Sequence, residues 1–260
     1  MSARTAWYIF SIISVILTAL LAAGFYLGLK DIYRPGPVAQ PPEGGIPGVG
    51  EKIGGPNNIM IVALGDSLTR GTGDDSGKGY IGNVQDEIKK AMNKNVLVFN
   101  QGINGYRTMD LLEDLQKRSD IRRMLAQADI ITITIGGNDL FSLSHDEVNP
   151  AVVRKRVPAA LARFKRIVDE LAVINPRATL LYMGLYNAFY DLPNASETSR
   201  VVQQWNEGAQ SILYQHPRDI FVATDDLFRL NLRKYLSSDH FHPNREGYKR
   251  IGLRMAQAVE

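Results

Sequence analysis

Five short apolar runs alternate along the chain with longer stretches in which apolar positions recur every three or four residues. The short runs are typical of strands buried on both faces, and the longer stretches are typical of amphipathic helices. This alternation predicts an α/β domain with a five-stranded parallel sheet between two layers of helices. The predicted strands are Ile59–Leu64, Asn95–Asn100, Ile130–Ile135, Thr179–Leu185 and Ile220–Ala223. The predicted helices are Tyr80–Asn93, Thr108–Ala128 with a break near Ser119, Pro150–Ile174, Ser196–Gln215 and Asn244–Val259.

The N-terminal segment 1–30 has a different pattern. Trp7–Leu29 is a run of 23 residues without a charge. As a helix it would extend ~34 Å, enough to cross a hydrocarbon core of ~30 Å. We therefore predict a transmembrane anchor, with the rest of the chain outside the cell membrane. The alternative is a signal peptide cut near Ala22-Ala23-Gly24, which would make the protein secreted.

A linker is predicted between this anchor and the α/β domain. Thirteen of the 22 residues from Pro35 to Pro56 are Pro or Gly, so this stretch cannot bury much apolar surface. We predict a linker over residues 31–56 and a folded domain over residues 57–260.

Composition excludes several classes of function. The net charge is +3 and no block of five like charges occurs, which argues against a nucleic-acid partner. The chain has no cysteine, so disulfides, thiolate metal sites and a cysteine nucleophile are excluded.

Polar residues follow the first three predicted strands, at the edge of a parallel sheet where ligands bind. Ser67 lies in the turn Gly65–Thr69 after the first strand, where it is either a helix cap or an exposed nucleophile. Gly102 follows the second strand and could bring a backbone N–H close to a ligand. Asn138, in the sequence GGND after the third strand, could donate its amide to an oxyanion. Each of the last two could equally be an ordinary turn residue.

Asp239 and His242 are three residues apart in a turn before the last predicted helix. This spacing lets the carboxylate bind one imidazole nitrogen while the other nitrogen faces outward. A serine hydroxyl needs such a base to become a nucleophile. Chelation of a metal by Asp239, His240 and His242 is the alternative.

Taken together, GDSLT at Gly65–Thr69, the glycine block at Gly102, GGND at Gly136–Asp139 and D-x-x-H at Asp239–His242 resemble the GDSL, or SGNH, hydrolase family. The resemblance implies a three-layer α/β/α sandwich of flavodoxin-like type with strand order 2-1-3-4-5. It implies that Ser67 is the nucleophile, His242 the general base and Asp239 its orienting residue. It also implies an oxyanion hole formed by Ser67, Gly102 and Asn138.

The reaction implied by this resemblance is hydrolysis of carboxylic esters through an acyl-enzyme, with no metal and no organic cofactor. Lysophospholipids, short acyl esters and O-acetylated glycans are the candidate substrates. Aromatic residues after the third and fourth strands could line a substrate pocket; these are Phe141, Tyr186, Phe189 and Tyr190. No protein partner is predicted. The competing function is a surface-tethered carbohydrate- or lipid-binding module without catalysis.

Other motifs that contain Gly and Ser fail in this sequence. The G-x-S-x-G elbow of α/β-hydrolases fails because residue 69 is Thr. The glycine-rich stretch 71–79 does not match a phosphate-binding loop, because Gly79 follows Lys78 where Ser or Thr is required. We interpret this stretch as a loop beside the site.

Overall fold

The computed structural model describes residues 57–141 and 149–259, together with residues 4, 5, 7, 8, 10, 11, 14 and 17–21. The chain divides into two compact units, Met1–Glu51 and Lys52–Glu260. The described residues of the first unit are helical. Within the described part of the chain, no helix is both long enough and apolar enough to cross a membrane. The end of the predicted anchor and the whole predicted linker lie outside the described residues, so the anchor and the domain boundaries remain predictions.

The second unit contains a parallel sheet of five strands in the order β2-β1-β3-β4-β5. This observation confirms the predicted α/β class and the strand order that the resemblance implied. The strands are β1 (Asn58–Gly65), β2 (Asn95–Gly102), β3 (Ile130–Thr134), β4 (Thr179–Met183) and β5 (Asp219–Val222).

The five predicted helices agree with the structure to within two residues, and the break near Ser119 divides one of them, so that the described part of the second unit contains six long helices. Four helices of four or five residues were not predicted, because they are too short to show a periodic pattern. The helices are α1 (Ser67–Arg70), α2 (Gly79–Met92), α3 (Thr108–Lys117), α4 (Ser119–Gln127), α5 (Gly137–Leu140), α6 (Pro150–Ile174), α7 (Ala195–Leu213), α8 (Asp225–Arg229), α9 (Leu232–Tyr235) and α10 (Arg245–Gln257).

The sheet separates two apolar layers, which makes the unit a three-layer sandwich. Successive side chains of β1 enter opposite layers: Met60 and Val62 enter one, and Ile59 and Ile61 enter the other. Helices α3, α4, α6 and α7 cover the first layer, whereas α2 and α8–α10 cover the second. Burial on both faces explains why the strands appear in the sequence as continuous apolar runs.

The carboxyl ends of the three central strands meet at one edge of the sheet. Gly65, which ends β1, pairs with Gly102 of β2 on one side and with Thr134 of β3 on the other. The segments that follow these strands therefore start side by side. They carry the polar residues that the sequence identified as candidates for chemistry.

Candidate active site

Ser67 lies at a sharp turn between β1 and α1. Gly65 has φ +129°, a conformation that L side chains rarely adopt, and a Cβ there would lie 1.9 Å from the Thr134 carbonyl oxygen. Only glycine fits this position. The turn makes Ser67 the first residue of α1, with its N–H at the start of the helix. Among the described residues, no acceptor faces that N–H.

Asp66, which is buried, stabilises this turn through hydrogen bonds. It is only 3% exposed, and its Oδ1 accepts hydrogen bonds from Leu68 N–H (3.0 Å) and from the Thr134 hydroxyl (2.8 Å). Burial raises the pKa of the Asp66 carboxyl to about 7, although both hydrogen bonds favour its ionised form. The aspartate next to the serine therefore has a structural role at the base of the turn.

His242 links the serine to Asp239. His242 Nε2 lies 2.8 Å from Ser67 Oγ, and His242 Nδ1 lies 2.6 Å from Asp239 Oδ2. Ser67 is 7% exposed and His242 is 8% exposed, so little water competes for these contacts. With a proton on Nδ1, Nε2 is the acceptor that faces the serine hydroxyl.

The loop before α10 holds Asp239 as an ionised acceptor. Burial alone would raise its pKa, but hydrogen bonds from His242, Phe241 N–H and the Ser237 hydroxyl lower that pKa to about 2. The Ser237 Oγ to Asp239 Oδ1 distance is 2.7 Å. Asp239 therefore carries a negative charge at neutral pH and can stabilise an imidazolium on His242. Ser237 was not identified from the sequence, where nothing sets this serine apart.

Asn138 approaches the same site from the turn after β3. Its Nδ2 donates to the Tyr106 carbonyl at 2.9 Å. An amide nitrogen carries two hydrogens, so a second N–H remains for a ligand. Asn138 lines the same pocket as Ser67.

A buried cluster fixes this turn against the start of α3. Asp139 Oδ2 accepts from Thr108 N–H at 2.8 Å, and Asp139 Oδ1 accepts from the Thr108 hydroxyl at 2.5 Å. Arg163 of α6 completes the cluster, since its Nη2 lies 3.0 Å from Asp139 Oδ1 and its Nε lies 2.8 Å from Thr108 Oγ1. Sequence reasoning gave Asp139 no role, although it stands in the GGND block.

Gly102 does not occupy the position expected of an oxyanion donor. Its N–H already donates to Asn100 Oδ1 at 2.9 Å. A Cβ at Gly102 would lie 2.4 Å from Arg70 N, so glycine is needed there because the backbone of α1 packs against it. This geometry argues against the assignment of Gly102 to the oxyanion hole.

Gly105, three residues further on, has the properties that were expected of Gly102. It is exposed with φ +79°, and no acceptor for its N–H is recorded in the described part of the chain. The residues on either side of Gly105 are both hydrogen-bonded. Asn104 Oδ1 accepts from the Thr72 hydroxyl in the loop after α1, and the Tyr106 carbonyl accepts from the Asn138 amide. The choice between two glycines in one loop could not be made from their spacing.

An apolar pocket opens beside Ser67 and Asn138. Three of the four predicted aromatic residues line it, namely Phe141, Tyr186 and Phe189, and Leu185 and Phe241 complete its wall. The fourth, Tyr190, does not line this pocket; its hydroxyl donates to Asp225 Oδ2 at 2.6 Å.

No metal-binding group of three or more His, Asp or Glu side chains occurs within residues 57–141 and 149–259 or among the described N-terminal residues. His242 Nδ1 is engaged by Asp239, and His240 is exposed with φ +57°.

Comparison with known proteins identifies the family. The sequence model of the GDSL-like lipase/acylhydrolase family matches residues 63–250. The chain belongs to the GDSL-like lipase/acylhydrolase family. By this membership it is an ester-hydrolysing enzyme. The chain is also 36% identical over 210 residues to the protein YpmR of Bacillus subtilis, covering 78% of this chain and 82% of that protein.

A more distant relative matches this GDSL-like hydrolase in sequence, and solved structures share its fold. The spore germination lipase LipC of Bacillus licheniformis is 23% identical over 205 residues, covering 77% of this chain and 96% of LipC. The lipase Lip_vut3 from a goat rumen metagenome superposes with a TM-score of 0.69 at 24% identity, over 77% of this chain and 97% of that one. The acetylxylan esterase Axe2 of Geobacillus stearothermophilus superposes with a TM-score of 0.59 at 19% identity, over 80% of this chain and 96% of Axe2.

Proposed function

We propose that this protein is a serine esterase that cleaves carboxylic esters through an acyl-enzyme on Ser67. The hydrogen-bonded chain from Ser67 through His242 to Asp239, with distances of 2.8 and 2.6 Å, is the observation that supports the proposal. The arrangement joins a nucleophile, a base and a charged group that orients the base, which is what hydroxyl activation requires.

Acylation begins when Ser67 Oγ attacks the ester carbonyl carbon and its proton passes to His242 Nε2. Collapse of the tetrahedral intermediate breaks the bond between the carbonyl carbon and the alkoxy oxygen. His242 then gives its proton to the departing alcohol. In deacylation a water molecule loses a proton to His242, attacks the acyl carbon and releases the acid, and Ser67 recovers its proton.

The developing oxyanion is stabilised by three donors in this proposal. These are the N–H of Ser67, the second N–H of the Asn138 amide and the N–H of Gly105 in place of Gly102. This assignment is supported by the backbone N–H groups of Ser67 and Gly105, for which no acceptor is recorded within the described residues. Loss of one such donor typically lowers kcat by about 10²–10³.

The proposal includes a setting at the cell surface. The uncharged run Trp7–Leu29 and the Pro/Gly-rich stretch that follows it favour an anchored domain outside the cell membrane, or a secreted one if the N-terminal segment is cleaved. An ester of a lipid or of an O-acetylated glycan would be within reach of such a domain.

The test compares the full-length chain with its Ser67→Ala variant on p-nitrophenyl acetate. We expect the variant to lose at least about 10³-fold in kcat because its nucleophile is gone. A Ser211→Ala variant, changed at an exposed position of α7, is the matched control and should keep full activity. A fluorophosphonate probe should add one phosphonyl group to the wild type and none to the Ser67→Ala variant.

Turnover by the Ser67→Ala variant at the wild-type rate would exclude Ser67 as the nucleophile. If the folded wild type cleaved no ester and did not react with the probe, the non-catalytic binding module would be the better description. Addition of EDTA should leave the rate unchanged, whereas a loss of activity would indicate a metal at Asp239, His240 and His242.

A further inference from the structure

A row of aromatic rings forms one wall of the pocket beside Ser67. The ring centroids of Phe141 and Phe189 are 5.0 Å apart, and those of Phe189 and Phe241 are 6.1 Å apart. Phe241 then contacts His242 edge-on, with centroids 5.1 Å apart. Three loops that are distant in sequence therefore form one continuous wall that ends at the catalytic base.

A second layer of contacts holds this wall in place. Tyr186 stacks on Phe228 with ring centroids 4.0 Å apart, and its hydroxyl donates to the Phe241 carbonyl at 2.7 Å. Phe189 N–H donates to Asn187 Oδ1 at 2.9 Å, and Asn187 N–H donates to Asp225 Oδ1 at 2.9 Å. These hydrogen bonds fix the backbone of the loops that carry Phe189 and Phe241, and the rings themselves are held by packing against one another.

The space enclosed by the wall is small. The centre of a water-sized sphere can occupy only about 30 Å³ of it, inside an empty region of about 430 Å³ that is partly open to solvent. An acetyl group, with one methyl carbon beyond its carbonyl, fits a space of this size. A chain of six or more carbons would have to enter the outer part of the pocket, which is open to solvent, or displace an aromatic ring.

The lining favours the acyl part of an ester. Leu185 and the aromatic rings offer no side-chain hydrogen-bond partners for a polyol, whereas they suit a methyl group. The polar side chains that line the pocket are Asp66, Ser67 and Asn138, and they lie at the end where Ser67 would attack an acyl carbonyl.

We propose that the row of Phe141, Phe189 and Phe241 restricts this enzyme to esters of short acyl groups, acetyl and propionyl, and that Phe189 sets the limit. This inference rests on the proposed function, because it needs the acyl group to be carried by Ser67. Phe189 is the residue to change, since it is only partly buried, whereas Phe141 is 5% exposed and belongs to the core.

The experiment measures kcat/KM for p-nitrophenyl esters from acetyl to octanoyl with the wild type, Phe189→Ala, Phe189→Leu and Tyr190→Ala. In the wild type we expect kcat/KM to fall by about tenfold or more for each methylene beyond propionyl. Phe189→Ala should raise the ratio of hexanoyl to acetyl activity at least tenfold, and Phe189→Leu should raise it less. Tyr190→Ala removes the next aromatic ring of the same loop, which lies outside the pocket, and should keep the wild-type ratio.

A second series keeps acetyl fixed and varies the alcohol. Phe189→Ala should leave this series unchanged, and a change confined to it would mean that the pocket binds the alcohol. Equal activity of the wild type on octanoyl and acetyl esters would overturn the short-acyl limit. An unchanged acyl profile in folded Phe189 variants would overturn the role of Phe189. Absence of all ester turnover in the wild type would instead refute the proposed function.

Discussion

Replacement of Asp139 by asparagine tests how the two loops of the proposed oxyanion hole are held together. Asp139 is buried and accepts three hydrogen bonds, two from Thr108 and one from Arg163. Asparagine has nearly the same shape but only one acceptor oxygen. In its better orientation, its NH₂ replaces Oδ2 and faces the N–H of Thr108, which then has no acceptor.

The size of the effect follows from these contacts. A buried N–H without an acceptor costs about 1–3 kcal/mol, and each hydrogen bond that loses its charged acceptor weakens by about 1 kcal/mol. We therefore expect the Asp139→Asn variant to lose about 3 kcal/mol in free energy of unfolding. At about 2–4 °C per kcal/mol for a domain of this size, the melting temperature should fall by about 6–12 °C.

The assay is urea unfolding of the full-length chain, followed by circular dichroism, with kcat and KM measured on the folded variant. Asp120→Asn is the matched control, because Asp120 pairs with Arg118 on the surface with half of its side chain exposed, and such pairs contribute about 0–1 kcal/mol. Because Asp139 positions Asn138, kcat should also fall by about tenfold to hundredfold, with a smaller change in KM. A stability loss no larger than that of the control would refute the reasoning.

Two further predictions concern titration and the base. The raised pKa of Asp66, about 7 in the folded chain against ~3.9 unfolded, means that the folded state holds an extra proton between these values. The contribution of protonated Asp66 to the free energy of unfolding is therefore fully present below pH ~4 and is lost as the pH rises through 7. The Asp66→Asn variant keeps an Oδ1 acceptor for both hydrogen bonds; from pH 5 to pH 8 it should therefore gain stability relative to the wild type, on the order of 3 kcal/mol. Urea unfolding at several pH values measures this gain, and parallel curves would contradict it. Separately, His242→Asn should lower kcat at least about 10³-fold, whereas His240→Asn, at an exposed left-handed position that asparagine tolerates, should change it by less than about threefold. The reverse result in the same ester assay would exchange the roles of the two histidines.

The fold was predictable because its signals are local and strong. Strands such as Ile130–Thr134 are buried on both faces and therefore appear as continuous apolar runs. The capping pair Asn149-Pro150 marks the start of α6, and the Asn149 side chain accepts from Ala151 N–H and Val152 N–H in the structure. The ends of the strands were harder to predict. The apolar run Thr179–Leu185 continues past Met183, the last residue of β4, because Leu185 in the following turn is apolar and buried as well.

The site was predictable where the interacting residues are neighbours in sequence or follow adjacent strands. Asp239 and His242 share one turn, and Ser67 follows the central strand of the sheet, so topology brought them together. The sequence did not favour Gly105, which we propose in place of Gly102, because two glycines three residues apart produce the same pattern. The structure distinguishes them, because Gly102 N–H donates to Asn100 and Gly102 packs against α1, whereas Gly105 is exposed. The Arg163 contact with Asp139 spans 24 residues and two elements, and no local pattern reports it.

The reacting groups and the pocket wall are fixed by different kinds of contact, and this difference has a consequence for specificity. Ser67, Asp239 and His242 are positioned by hydrogen bonds to groups within their own turns and by one contact between His242 and Ser67. The wall is formed by ring contacts between the loops after β3 and β4 and the loop before α10. Of these three loops, only the last also carries a residue that hydrogen-bonds Ser67, namely His242. A change of ring size at Phe189 can therefore alter which acyl groups enter while the reacting distances persist. One fold can carry different activities, and this fold is shared with a lipase and an acetylxylan esterase. On this argument the acyl preference that we propose depends on Phe189, which lies outside the four family motifs, more than on Phe241, which lies within one of them.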